Sequence, residues 1–167
     1  MIRPVRRKDA AALARIYNHY IATSVATFAT EPVSEDDMYE DIRGASDALP
    51  WLVWETGGKV AGYAMASAWK SRCAYRYSVE TTIYLAPDAG GDGIGTQLYG
   101  ALLDEVQEAG HHSALGGIAL PNDASVRLHE KLGFEKVGHL KEVGWKFDQW
   151  VDVGYWQKVF GGEGAGG

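Results

Sequence analysis

Between residues 78 and 110 a strand, a glycine-rich turn and an amphipathic helix follow one another directly, and few folds accommodate that order. Ser78 to Leu85 alternates and is β-branched, the pattern of a strand. Gly90-Gly91-Asp92-Gly93-Ile94-Gly95 comes next. Ile94, Leu98, Leu102, Val106 and Ala109 then mark one face of a helix, with Gly110 where it should stop. Glycines let backbone N–H groups converge on one point, and a helix N-terminus adds roughly half a positive charge there. This is the layout of an anion site, although the same glycines also suit a flexible turn at a helix start. Two better-known phosphate loops fail on spacing. A dinucleotide fingerprint beginning at Gly93 needs a glycine where Leu98 stands. A P-loop beginning at Gly90 reaches Gly95, but Thr96-Gln97 then replaces the required Lys-Ser/Thr. A lysine-free phosphate loop remains, spanning Gly90, Gly91, Asp92, Gly93, Ile94, Gly95 and Thr96.

The rest of the chain alternates strands and helices around this unit. Ile2 to Val5, Trp51 to Glu55, Val60 to Trp69, Ser113 to Leu120, Glu135 to Leu140 and Val151 to Phe160 read as further strands. Gly57-Gly58 signals a hairpin between two of them. Asp9, Ser34 and Asn122 stand where helix N-caps belong, with Ser34-Glu35-Asp36-Asp37 resembling a capping box. The expectation is an α/β fold, a mixed sheet flanked by helices, in one domain over residues 1–160. Residues 161–167 carry no apolar anchor beyond an alanine and read as a disordered glycine-rich tail.

Composition narrows the partners. With 16 basic against 22 acidic residues, neither a nucleic-acid groove nor a polybasic membrane contact is expected. No apolar run is long enough for a transmembrane helix, and the N-terminus never enters a signal-like apolar stretch. The lone Cys73 forms no intrachain disulfide and no cysteine-rich zinc site, which fits a reducing cytoplasm. No metal site is expected.

Several motifs, in consistent order from Ile2 to Phe160, carry a family resemblance. The turn ending Gly93-Ile94-Gly95 resembles the (Gln/Arg)-x-x-Gly-x-(Gly/Ala) loop of GNAT-superfamily acetyltransferases. Asn122-Asp123-Ala124-Ser125 with Leu128-His129-Glu130-Lys131-Leu132-Gly133-Phe134 looks like the second acetyl-CoA signature of that superfamily. The segment from Trp69 through Lys70, Arg72, Tyr75 and Glu80 to Tyr84 is similar to a narrower group, the phosphinothricin and methionine sulfoximine N-acetyltransferases. So are Phe28 to Pro32 and Trp150 to Gln157. The resemblance implies a GNAT-like, mostly antiparallel sheet, acetyl-CoA as cosubstrate, a small amine as acceptor, and a homodimer with Trp145 and Trp150 near the contact.

Acyl transfer to an amine needs a thioester beside a nucleophile, a route for the ammonium proton, and polarisation of the carbonyl. Glu80 is the candidate base. Alternation puts it on one strand face with Thr82 and Tyr84, where a glutamate is either solvated or buried with a purpose. The resemblance assigns it the catalytic role. It also implies that this strand splays from its neighbour, so that Ile83, Tyr84 and Leu85, otherwise core residues, offer main-chain groups to the pantetheine arm. Asn122 joins its N-cap role to a pantetheine contact. His129 is a packed histidine or a residue near substrate and thiol, and Lys131 is an exposed helix lysine or a cofactor contact. Lys70, Arg72, Tyr75 and Phe28 edge the acceptor pocket, with Arg72 suited to a carboxylate or phosphinate.

The expected function is acetylation of the α-amine of a small amino-acid-like compound of the phosphinothricin, methionine sulfoximine or methionine sulfone type. Two rivals are a GNAT enzyme for another amine, such as a polyamine, and a non-catalytic acetyl-CoA sensor. Lys70 and Arg72 oppose a polyamine, and Glu80 opposes the sensor. The loop departs from the family pattern at Gly90, where Gln or Arg is usual, and at Asp92, where many relatives are basic or neutral. A carboxylate beside a pyrophosphate weakens its binding, so Asp92→Arg is expected to lower the acetyl-CoA KM in steady-state assays. An unchanged or higher KM contradicts that reading.

Overall fold

Local chemistry sets the element boundaries. The computed structural model describes residues 1–161. Apart from Gly161, the tail expected to be disordered lies outside the described residues. Strands β1 (Ile2–Pro4), β2 (Trp51–Thr56), β3 (Lys59–Ala68), β4 (Ser78–Leu85), β5 (Ser113–Leu120), β6 (Glu135–Lys146) and β7 (Gln149–Val159) alternate with four α-helices. These are α1 (Ala10–Thr23), α2 (Glu35–Ile42), α3 (Ile94–Glu108) and α4 (Asp123–Lys131). The capping box at α2 is reciprocal: Ser34 Oγ accepts from the Asp37 N–H at 3.0 Å, and the Asp37 carboxylate accepts from the Ser34 N–H at 2.9 Å. Gly57 and Gly58, at φ +55° and +74°, make the tight β2–β3 turn.

The strands form one sheet in the order β1-β2-β3-β4-β5-β7-β6. All neighbours are antiparallel except β4 and β5, which α3 connects as a parallel pair. The mixed, mostly antiparallel sheet expected from the sequence is present. Period-two alternation divides the core between its two faces. Leu52, Ala64, Ala66 and Val79 pack with Leu98, Tyr99, Leu102 and Val106 of α3. Trp51, Val53 and Tyr63 pack on the other face with Leu13 and Ile16 of α1 and Met38 and Ile42 of α2.

Element ends shift by a residue or two, as at β7, which starts at Gln149 rather than Val151, and two larger differences from the sequence reading stand out. β6 continues six residues past Leu140, because a bulge between Leu140 and Gly144 absorbs the break in alternation. The Asp152 carboxylate supports that bulge by accepting from the Glu142 N–H at 2.8 Å. Asp9 precedes α1 but does not cap it through its side chain. Its carboxylate instead takes two N–H groups of the buried Arg3 guanidinium, at 2.8 and 2.9 Å, and the Arg6 N–H at 2.7 Å. Arg3 also bonds Glu55, so β1, β2 and the start of α1 share one ionic knot.

Burial alone would raise the Asp9 carboxyl, but Arg3 and the Arg6 N–H outweigh it and hold it below the ordinary carboxylate range. The pair therefore stabilises the fold fully above the unfolded value of about 3.9, and that stability is lost as pH falls through the lower folded value. Asp9→Asn is expected to lower the unfolding free energy at neutral pH by about 3 kcal/mol, with Glu55 keeping Arg3 from standing alone. Urea denaturation should show the gap to wild type narrowing in acid; a gap independent of pH counts against the ion pair.

Candidate functional site

The parallel ladder between β4 and β5 is only three residues long. It joins Ser78 to Ser113, Val79 to Ala114 and Glu80 to Leu115, and then the strands part. Beyond Glu80, the β4 peptide groups that turn away from β3 meet no strand among the described residues. A cleft of about 530 Å³ fills the gap, lined by Glu80 to Leu85 on one side and Gly117 to Ala119 on the other. Asn122, Ser125, Leu128 and His129 close it from α4, and Tyr20, Ala26 and Thr27 from the α1 side.

Glu80 stands at the fork, half-buried. Burial raises its carboxyl above the ordinary range, and the nearby Lys70 charge offsets part of that rise. At the far end of the gap the Leu85 carbonyl accepts from the Tyr20 hydroxyl at 2.6 Å. There α3 begins, with Gly93 as N-cap in the left-handed region at φ +70° and Gly91 at +106°. No side chain caps α3 and its first turn holds no acidic residue, so its leading N–H groups are free for an anion. Gly95 of that turn lies against Leu85 and Leu128, two residues of the cleft wall.

The Asn122 side chain does cap α4, accepting from the Ser125 N–H at 3.1 Å, and it also lines the cleft. His129 is 4% exposed, with both ring nitrogens engaged. Nδ1–H donates to the Ser125 carbonyl at 2.8 Å, which leaves Nε2 to accept from the Tyr99 hydroxyl at 3.1 Å. The Tyr99 oxygen lies 2.6 Å from Thr81 Oγ1. Burial pushes the His129 imidazole below its ordinary value, so the ring is neutral near pH 7. Gly116 makes room for it: a Cβ there would lie 2.5 Å from Nε2.

The sequence model of the acetyltransferase (GNAT) family matches residues 13–134. The chain belongs to that family. It is 45% identical over 159 residues to the phosphinothricin N-acetyltransferase of Streptomyces viridochromogenes, covering 95% of this chain and 87% of that one. It is 37% identical to the L-methionine sulfoximine/L-methionine sulfone acetyltransferase of Salmonella typhimurium, covering 93% and 92% of the two chains. YncA of Salmonella typhimurium, solved with its cofactor acetyl-CoA, superposes with a TM-score of 0.94 at 35% identity, over 99% of this chain and 95% of that one.

Within this acetyltransferase, Glu80, Ile83, Tyr84, Leu85, Asn122 and His129 come together around the cleft. The Gly90–Thr96 turn lies at its Leu85 end, while Lys131 sits exposed on α4 outside the lining. Phe28, Lys70, Arg72 and Tyr75 are exposed and do not line it either. Lys70 Nζ rests 4.9 Å from the Trp69 ring centroid, and Arg72 immediately precedes the short 3-10 turn Cys73–Tyr75. Among the described residues no cluster of three or more His, Cys, Asp or Glu is arranged to hold a metal.

Lys146 is a residue that sequence reasoning missed. It is 4% exposed, pairs with no carboxylate among the described residues, and donates to the Ser24 and Thr27 carbonyls at 2.7 and 2.8 Å. These bonds tie the loop between α1 and α2 to β6. Next to them the Phe28 ring lies on Gly144, where a Cβ would meet Cζ at 2.3 Å. Its inward alternation with Gly144 was the available signal, hidden by the aromatic Trp145 and Phe147 beside it. Lys146→Met removes both charge-assisted bonds and should raise hydrogen exchange at the Ala26 and Ala29 amides by at least about tenfold. Unchanged protection in that loop rules out the clamp.

Proposed function

We propose that this acetyltransferase uses acetyl-CoA to acetylate the α-amine of a small amino-acid-like acceptor of the phosphinothricin, methionine sulfoximine or methionine sulfone type. Residues 1–160 act as one domain in this reading. The observation that carries it is the fork at Glu80, which sets a half-buried carboxylate beside an unpaired strand edge. The names of the phosphinothricin and methionine sulfoximine relatives support the acceptor class, and the YncA complex supports the cosubstrate.

Acetyl-CoA would supply a thioester carbonyl for a neutral amine to attack, the new C–N bond replacing the C–S bond as coenzyme A leaves and its sulfur takes up a proton. The peptide groups of Ile83, Tyr84 and Leu85 hold its pantetheine arm as a third strand would, helped by Asn122. The turn from Gly90 through Gly91, Asp92, Gly93, Ile94 and Gly95 to Thr96 receives the pyrophosphate on free N–H groups, with Lys131 at the rim. A β4 N–H directed at the acetyl oxygen stabilises the negative charge that develops there. Glu80 accepts the ammonium proton, directly or through one water, which raises the fraction of amine able to attack. Lys70 and Arg72 attract the acceptor carboxylate, and Phe28 and Tyr75 wall its entrance. His129, holding Tyr99 in place, serves the thiol side.

A homodimer belongs to the same reading. Trp145 and Trp150, 54% and 60% exposed with ring centroids 4.8 Å apart, sit with Val143 and Phe147 in an apolar patch suited to a second copy. A cytoplasmic location fits the single free Cys73.

Because burial raises the Glu80 carboxyl, the base is active above that raised value and protonated below it. The acid limb of kcat/KM should therefore fall above the ordinary carboxylate range. Glu80→Gln is expected to abolish that limb and lower kcat by about 10²–10⁴-fold, read from thiol release. Wild-type rates in Glu80→Gln rule out the base. Acetyl-CoA binding without turnover of any acceptor favours the sensor.

A further inference from the structure

Tyr20 has no part in the mechanism above, yet it bonds the strand edge on which that mechanism depends. The Ala86 N–H donates to the Ala61 carbonyl of β3 at 2.8 Å, next to the paired Leu85 and Gly62. Alternation along the antiparallel ladder therefore turns the N–H and C=O groups of Ile83 and Leu85 away from β3. That side is the gap, because β5 pairs with β4 only as far as Glu80. The Ile83 N–H, the Ile83 carbonyl and the Leu85 N–H face it with no strand partner among the described residues. The Leu85 carbonyl is different: it is occupied, accepting from the Tyr20 hydroxyl at 2.6 Å.

Tyr20 is placed to keep that bond. It stands in the last turn of α1, half-buried, and itself lines the cleft. Its ring packs on Tyr84 at 5.1 Å between centroids, and Tyr84 packs in turn on Tyr17 and Tyr63. Burial pushes the Tyr20 hydroxyl above its ordinary range, so it keeps its proton and remains a donor. A side chain that fills one carbonyl of an otherwise open edge changes what the edge can accept. An arm carrying amide N–H groups finds one free carbonyl there, that of Ile83, where the bare strand would offer two.

We propose that Tyr20 is a register stop, a positioning residue that acts through the Leu85 carbonyl. By holding that carbonyl it confines the pantetheine amides to one pairing along β4, the one that sets the thioester beside Glu80. The proposal rests on the reading of β4 as the holder of the arm. Strand pairing repeats every two residues, so a freed Leu85 carbonyl would offer a second pairing about 7 Å along the strand. A thioester displaced that far is out of reach of an amine held at Glu80. The phosphates oppose the same slip from the other end, through the Gly90–Thr96 turn. Tyr20 therefore matters most for a donor that lacks them.

The test compares acetyl-CoA with S-acetylpantetheine, the same arm without phosphates, as donors to methionine sulfone for the full chain and its Tyr20→Phe variant. The second pairing is unproductive, so Tyr20→Phe should lower kcat and KM for S-acetylpantetheine together, by at least about threefold, and for acetyl-CoA by a smaller factor. A substitution that only loosened the fold would raise KM for both donors. That result, equal factors for the two donors, or no effect on either, overturns the stop. A second measurement needs no variant. Leucine labelled at the carbonyl carbon, paired with alanine labelled at nitrogen, reports the Leu85–Ala86 peptide by NMR with only Leu13–Ala14 beside it. The same labelling of isoleucine and tyrosine reports Ile83–Tyr84 with only Ile16–Tyr17. Adding acetyl-CoA should move the Ile83 carbonyl resonance and leave that of Leu85 in place. Movement of the Leu85 resonance overturns the stop while β4 keeps the arm. Movement of neither takes the arm off β4 and overturns both.

Discussion

The early end of the β4–β5 ladder is the constraint on which the site depends. Two parallel strands that pair for three residues and then diverge must leave peptide groups facing a gap, and buried peptide groups need partners. Helix α4 and the α1–α2 loop bound the gap without closing it. The fork also sets Glu80 apart. Glu80 is the last paired residue, so it is desolvated by the sheet on one side and open to the cleft on the other. Its perturbed carboxyl and the free strand edge are consequences of the same divergence.

Much of this was legible in the residues. Glycines before a helical repeat can only be a turn, and Gly91 and Gly93 do adopt left-handed backbone there. Asn122 four residues ahead of Val126 reads as a cap and is one. Alternation placed Glu80, Thr82 and Tyr84 on one face of β4, and the two cores obey that division. What stayed hidden depends on pairings distant in sequence. Nothing near Asp9 reveals that its carboxylate will face Arg3 across a strand rather than cap a helix.

The β6–β7 hairpin is the sharper case. Trp145 and Phe147 look like core residues alternating with Gly144 and Lys146, yet the aromatics point outward and the lysine inward. The inversion has a local cause and a distant one. The bulge at Leu140–Gly144 resets which residues face in, and the Ser24 and Thr27 carbonyls on a loop 122 and 119 residues away receive the ammonium group. Periodicity reports only a period, and phase after a bulge is set by the partner. Phe28, Lys70, Arg72 and Tyr75, expected at the edge of an acceptor pocket, stand exposed outside the cleft lining, and the packing of the sheet's other face, which leaves a second cavity open, had no counterpart in any local pattern.

The split ladder makes the sheet incomplete in its interior, where most proteins are most cooperative. A ligand that supplies the absent strand is then part of the hydrogen-bonded framework, and its free energy of binding adds to that of folding. At one hundred times its dissociation constant, such a ligand deepens the native state by about 2.7 kcal/mol. That is a substantial fraction of the roughly 5–15 kcal/mol that holds a domain of ordinary size together. The lifetime of this chain in a cell would thus follow the supply of its own cosubstrate.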